Sequence, residues 1–98
     1  MEIAKKREGT LLTITLEGEL NTVTAPQLEA AIAEDLKTVN DVVFDMTDLF
    51  YITSAGLRLL LAAQQETAGR GNVVVRGACE EIREIIAITG FDSILTPE

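Results

Sequence analysis

Two adjacent hydroxyl side chains, Thr53 and Ser54, have the setting in this chain most suited to chemistry. They lie where an apolar segment ends and a periodic segment begins, and the small residues Ala55 and Gly56 follow them. Because the first N–H groups of a helix have no intrahelical partners, a hydroxyl at a helix start has two uses. Ser54 either caps the helix or carries a phosphate, which the local field favours. The small neighbours would leave Ser54 open to a modifying enzyme.

The other reactive side chains do not favour catalysis. The chain has no histidine, which excludes a Ser-His relay and every imidazole metal site. Asp45 and Asp48 flank the hydroxyl segment and could pair for acid–base work, although such residues more often cap turns. Cys79 is the single cysteine, and we expect a small buried side chain rather than a reactive thiol. We therefore expect no enzymatic activity, no metal and no cofactor.

Composition and charge predict one globular domain over residues 1–98. The chain is 47% hydrophobic and 24% charged, and no apolar run approaches the roughly 20 residues needed to cross a membrane. No apolar stretch follows the basic residues near the N-terminus, so we expect no secretion signal and a cytoplasmic location. The net charge of −8 disfavours nucleic acid and favours a protein partner with positive character. The only basic cluster, Lys5-Lys6-Arg7, is expected to protect an edge strand or to form a small anion-binding patch.

Hydrophobic periodicity predicts a hairpin and a first helix in the N-terminal part. Residues 2–7 and 11–17 are predicted to be antiparallel strands, joined by a tight turn at Glu8-Gly9. Thr24 is predicted to cap the first helix, with Gln27 as the second member of a capping box.

The remaining elements are predicted from apolar runs and glycines. Val42–Phe44 is the central strand, buried on both faces, and a helix follows Ser54 and ends near Gly69. Val73–Val75 is the next strand, and a third helix ends at Gly90. Residues 93–95 form either a short last strand or an irregular tail. The order β-β-α-β-α-β-α predicts an α/β fold with a mixed sheet covered by helices.

Two sequence motifs accompany these elements. The first, which is the more specific, comprises DMTDL at 45–49 and YITSAGLR at 51–58; the second comprises GELNT at 18–22 and TAPQL at 24–28. Together they resemble the signature of STAS domains, most closely that of the bacterial anti-sigma-factor antagonists. The likeness covers essentially the whole chain and implies a single STAS-like domain.

The resemblance implies a function by partner switching. In this family the unmodified antagonist binds an anti-sigma factor that is also a serine kinase, and so frees the sigma factor. The kinase then phosphorylates the motif serine, here Ser54, and the complex dissociates until a metal-dependent serine phosphatase restores it. The expected partner-binding surface, or docking face, joins the turn before the first helix to the start of the second: Asn21, Thr22, Thr24, Thr53, Ser54, Ala55, Gly56, Leu57 and Arg58.

Two alternatives to phosphorylation-dependent switching stay open at this point. Some STAS domains act as interaction subunits of ABC-type transport complexes without being phosphorylated, and nucleotide binding is suggested for some relatives. No glycine-rich phosphate loop supports nucleotide binding here. Thr53 and Asn21 stand where the family often has Asp, so negative charge is removed near the acceptor, and Thr53 becomes a competing acceptor.

Overall fold

The computed structural model describes residues 1–90 and 96–97, and within them the predicted order of elements is confirmed. One five-stranded sheet runs in the order β1-β2-β3-β4-β5. β1 is antiparallel to β2, whereas the other neighbours are parallel. The predicted segment 93–95 lies outside the described residues. The elements are β1 Glu2–Glu8, β2 Leu11–Leu20, α1 Ala25–Leu36, β3 Asp41–Ile52, α2 Ser54–Thr67, β4 Val73–Arg76, α3 Glu80–Ile88 and β5 Thr96–Pro97.

The core lies on one face of the sheet, between the strands and the helices. The register pairs Leu12 with Val42 and Ile14 with Phe44, and all four side chains are fully buried in one cluster. Ile32, Leu60 and Ile82, one from each helix, belong to the same cluster. Successive parallel connections that advance in one direction across a sheet place their right-handed crossovers on one side. The expected covering of the sheet is therefore found on a single face.

Two basic residues of the edge strand β1 bind α1 across the core face. Lys5 Nζ donates to Ala31 O at 2.6 Å and to Asp35 Oδ2 at 2.8 Å, and Arg7 Nη1 lies 3.3 Å from Asp35 Oδ1. Lys6, whose side chain points to the other face, pairs with Glu8 at 3.4 Å. Lys5 and Arg7 of the basic cluster therefore connect the edge strand to the first helix.

Acid unfolding is expected to depend on Asp35. Hydrogen bonding from Lys5 holds the pKa of Asp35 below its ordinary value of 3.8, with a smaller contribution from Arg7. A carboxylate whose pKa is lowered by folding stabilises the fold above its unfolded pKa, and this stabilisation is lost as pH falls through the folded pKa. Asp35→Asn should lower the free energy of unfolding at pH 7 by about 1 kcal/mol or less, and this difference should vanish in acid. Denaturant unfolding between pH 2 and 7 measures it. Glu34→Gln, which removes an exposed carboxylate paired with Lys37, is the control for the loss of one negative charge from α1 and should change the free energy of unfolding at pH 7 less than Asp35→Asn does.

The third strand is longer than predicted. The sequence predicts a strand over Val42–Phe44 only, whereas β3 has 12 residues and reaches Ile52. Its later buried residues, Met46, Leu49 and Ile52, recur every three positions because two register shifts against β2 each insert one residue. Inserted residues break the two-residue alternation by which a strand is recognised. The segment that contains Asp45 and Asp48 is therefore a bulged strand.

Candidate functional site

Strand pairing brings the two motif segments together at the carboxyl edge of the sheet. Leu20, the last residue of β2, is paired with Ile52, the last residue of β3. The next residue, Thr53, donates its backbone N–H to Leu20 O at 3.0 Å. Since both strands end at the same level, the turn after Leu20 and the start of α2 are neighbours. The predicted docking face therefore has its two halves side by side.

Asn21, not Thr24, caps the first helix. Asn21 Oδ1 accepts the backbone N–H groups of Val23 at 2.9 Å and Thr24 at 3.0 Å. Thr24 Oγ1 in return accepts the Asn21 N–H at 2.8 Å, which completes a capping box. The predicted box of Thr24 with Gln27 is therefore wrong. The box lies three residues earlier, because the backbone already forms a turn at residues 22–24. An Asp at position 21 could accept the same two bonds, so the cap does not require a charge there.

The two neighbouring hydroxyl groups have opposite environments. Ser54 is the first residue of α2 and its side chain is exposed. Thr53 occupies the N-cap position, with extended backbone angles of φ −105° and ψ 177°, and makes no side-chain cap bond. Its Oγ1 is fully buried and has no hydrogen-bond partner among the described residues. The Ser54 side chain is therefore accessible to an enzyme, whereas the hydroxyl oxygen of Thr53 is not.

Two of the predicted contact residues belong to the core instead. Gly56 is buried, and a Cβ placed on it would lie 2.7 Å from Ile52 Cγ1 and 2.7 Å from Leu20 Cγ. Leu57 is 5% exposed and packs in the hydrophobic cluster. The Leu57 side chain therefore belongs to the core and not to the surface, and Gly56 has no side chain with which to contact a partner. Because Gly56 has no Cβ, the first turn of α2 can pack directly on the ends of β2 and β3.

A groove runs between α1 and α2 and opens beside this edge. Its volume is about 610 Å³, and residues with short side chains contribute much of its lining. Thr22 and Ala55 line it, as does Arg58, whose side chain is exposed. Glu29 of α1 is a further charged residue of its wall. The groove thus extends the predicted face from the Ser54 end along both helices.

The remaining reactive side chains have structural roles in this fold. Asp45 Oδ1 accepts a hydrogen bond from Thr47 Oγ1 at 2.7 Å and from Thr47 N at 3.1 Å, which lowers the pKa of this carboxyl. Asp45 therefore caps a local turn, which is the commoner role of such a residue. Cys79 is half-buried at the N-cap of α3 and packs against the core. Within residues 1–90 and 96–97, no three His, Cys, Asp or Glu side chains gather in a group that could hold a metal ion.

Sequence reasoning missed three exposed apolar residues near the carboxyl edge. Val23 is 73% exposed in the turn before α1, and Phe50 and Tyr51 are 63% and 50% exposed near the end of β3. Phe50 has no partner residue in the register between β2 and β3, because a register shift falls there. In the sequence Phe50 and Tyr51 lie in the apolar run 49–52 and Val23 stands between two threonines, and neither pattern gives a signal of exposure. Large exposed apolar side chains beside a candidate site are typical of protein interfaces.

Known proteins resemble this chain in sequence. The family model described as "STAS domain" matches residues 2–98. BtrV of Bordetella bronchiseptica, which carries the provisional name anti-sigma factor antagonist, is 38% identical over 96 residues, or 96% of this chain and 83% of that protein.

Solved structures extend the likeness to three dimensions. An anti-sigma factor antagonist from Mycobacterium paratuberculosis has a TM-score of 0.88 at 24% identity, covering 98% of this chain and 83% of that one. The Bacillus cell fate determinant SpoIIAA in its phosphorylated form has a TM-score of 0.79 at 19% identity, covering 99% of this chain and 91% of that one. At these identities the structures show a shared fold. The fold, the match over residues 2–98 and the 38% identical relative together show that this chain belongs to the STAS domain family.

Proposed function

We propose that this protein is an anti-sigma-factor antagonist that works by partner switching. Its unmodified form binds an anti-sigma factor that is also a serine kinase. Phosphorylation of Ser54 releases that partner, and a serine phosphatase reverses the modification. The protein itself catalyses nothing in this scheme and acts in the cytoplasm. The 38% identical relative named as an antagonist supports the assignment. None of the described helices is long and apolar enough to cross a membrane.

The observation that carries the proposal is the contrast between the two adjacent hydroxyl groups. Ser54 is exposed at the first position of a 14-residue helix, whereas Thr53 Oγ1 is buried. A kinase needs an accessible oxygen, and this edge offers Ser54. α2 also carries no acidic residue in its first turn, so no carboxylate of that turn would repel a phosphate at its free N–H groups.

The magnitudes favour release by charge at the interface over refolding. A phosphate adds about −1.5 to −2 charge, and an exposed helix start stabilises it by only about 0.3–1 kcal/mol. Changing a population from mostly bound to mostly free takes about 5.5 kcal/mol of differential affinity. Desolvation of a charge between two proteins costs several kcal/mol and can supply most of this difference. The phosphorylated and unmodified forms should therefore share one fold.

The proposal is tested by incubation with the candidate kinase and ATP. Intact mass should increase by one phosphate, and peptide mapping should place it on Ser54. Ser54→Ala should abolish the modification, while Thr53→Val should leave it on Ser54 because Thr53 Oγ1 is inaccessible. An unmodified wild-type chain would instead favour the interaction subunit of a transport complex. Modification at another residue would contradict the proposed site.

Phe50 is expected to contribute to partner binding. It is 63% exposed on β3, close to the Ser54 edge, and aromatic residues including Phe are enriched in the buried centre of protein interfaces. Phe50→Ala should weaken binding of the anti-sigma factor about tenfold or more, which corresponds to about 1.4 kcal/mol, without lowering the melting temperature. Ile88→Ala, at an 84% exposed residue on α3, is the matched control and should leave binding unchanged. Equal affinities of the Phe50 variant and the wild type, measured by titration calorimetry, would remove Phe50 from the docking face.

A further inference from the structure

Arg58 is one of two basic side chains that have no intramolecular partner among the described residues. Within residues 1–90 the other six basic side chains have a hydrogen bond, an ion pair or an electrostatic interaction: Lys5, Lys6, Arg7, Lys37, Arg70 and Arg76. Arg58 on α2 and Arg83 on α3 have none among the described residues, and both are exposed. In a chain with a net charge of −8, an unpaired guanidinium beside the docking face needs an explanation.

The position of Arg58 relative to Ser54 offers an explanation for this unpaired guanidinium. Both lie on α2, four residues apart, so their Cβ atoms are about 5–6 Å from each other on the same face. Side chains of a helix lean toward its N-terminus, so that a residue covers the turn before its own Cα. The Arg58 side chain therefore leans over the turn that begins with Ser54. Five N–H donors in a planar fork suit the guanidinium to a phosphate.

We propose that Arg58 is the intramolecular ligand of a phosphate on Ser54, an inference that rests on the proposed function for the presence of that phosphate. In the unmodified protein Arg58 is free to meet an acidic group of the partner. Phosphorylation adds negative charge to the docking face and at the same time removes its unpaired cation. The other charged groups of the groove are Glu29, Lys37 and Glu66. None of them lies within 4 residues of Ser54 on α2, as Arg58 does.

The test uses the full chain with phosphoserine incorporated at position 54 during synthesis, so it needs neither kinase nor partner. Phosphorus NMR follows the second ionisation of the phosphate, whose ordinary pKa is about 6. An adjacent guanidinium favours the dianion, so the phosphate pKa in the wild type should be lower than in Arg58→Gln by about 0.5 pH unit at low salt. This difference in phosphate pKa should shrink in roughly 0.5 M NaCl, because salt screens exposed ion pairs. Arg83→Gln, at the other unpaired arginine, should match the wild type.

A second readout follows Arg58 itself. Its side-chain Nε–H resonance should shift when Ser54 is phosphorylated, and the Arg83 resonance should not. The same phosphate pKa in the wild type and in Arg58→Gln, or equal changes in both arginine variants, would overturn the inference. Failure of the kinase to modify Ser54 would overturn the proposed function while leaving this titration unaffected, so the two failures are distinguishable.

Discussion

Ser54→Asp is expected to weaken binding of the anti-sigma factor about 100-fold, a loss of about 2.7 kcal/mol. The carboxylate places a permanent charge on an exposed position that the partner is proposed to cover. Beneath the partner this carboxylate loses hydration that the interface does not replace, and pairing with Arg58 would remove the cation that is proposed to meet an acidic group of the partner. Calorimetric titration of the partner into each variant measures the change.

The fold should not be affected by the same substitution. Ser54 is exposed at the start of α2, where a negative charge is stabilised by about 0.3–1 kcal/mol, so the melting temperature should stay level or rise slightly. Ser54→Asn is the matched control, since it has the size and shape of Asp without its charge. If Asn weakens binding as much as Asp does, side-chain bulk rather than charge is responsible, and the electrostatic account is wrong.

Gly56→Ala is expected to destabilise the protein by about 1–3 kcal/mol, although helix propensity alone predicts a gain of about 1 kcal/mol. A Cβ on Gly56 would lie 2.7 Å from Ile52 Cγ1 and from Leu20 Cγ. Both neighbours are buried side chains at the ends of their strands, at 2% and 0% exposure, so neither can move aside into solvent. The first turn of α2 must then shift away from the sheet.

Thermal and denaturant unfolding measure this effect, and a loss of 1 kcal/mol should lower the melting temperature by about 4–8 °C. Ala62→Gly, at an exposed position of the same helix, calibrates the propensity difference and should cost about 1 kcal/mol. Because the displaced turn carries Ser54, Gly56→Ala should also slow phosphorylation. A more stable Gly56→Ala variant would show that the glycine is not required by packing.

Much of the fold is predictable because its elements have regular patterns. The alternation in Leu12, Ile14 and Leu16 identified β2, and the run Val42–Phe44 identified the centre of the sheet. β3 beyond Phe44 was missed because inserted residues change its period from two to three. The sequence predicts a capping box that begins at Thr24, whereas the box begins at Asn21, since each residue is a good cap by type and only the backbone decides between them.

The site was predictable in outline, and its details depended on packing. The segment 51–58 indicated an exposed serine at a helix start, and Ser54 does lie there. Sequence alone could not separate Ser54 from Thr53, whose hydroxyl is buried at the N-cap. It also placed Gly56 and Leu57 on the docking face, whereas both pack against the ends of the strands or the core. The residues that are exposed at the start of a helix are those that the neighbouring strand ends do not cover.

Titration of the anti-sigma factor into the chain carrying phosphoserine at position 54 tests the central claim most directly. The account predicts binding to the unmodified chain and a loss of at least about 100-fold on phosphorylation, with backbone NMR shifts changed only near residues 50–58. Equal affinity of the two forms would contradict it. So would weakened binding accompanied by shift changes throughout the sheet, because release would then come from refolding rather than from charge at the interface.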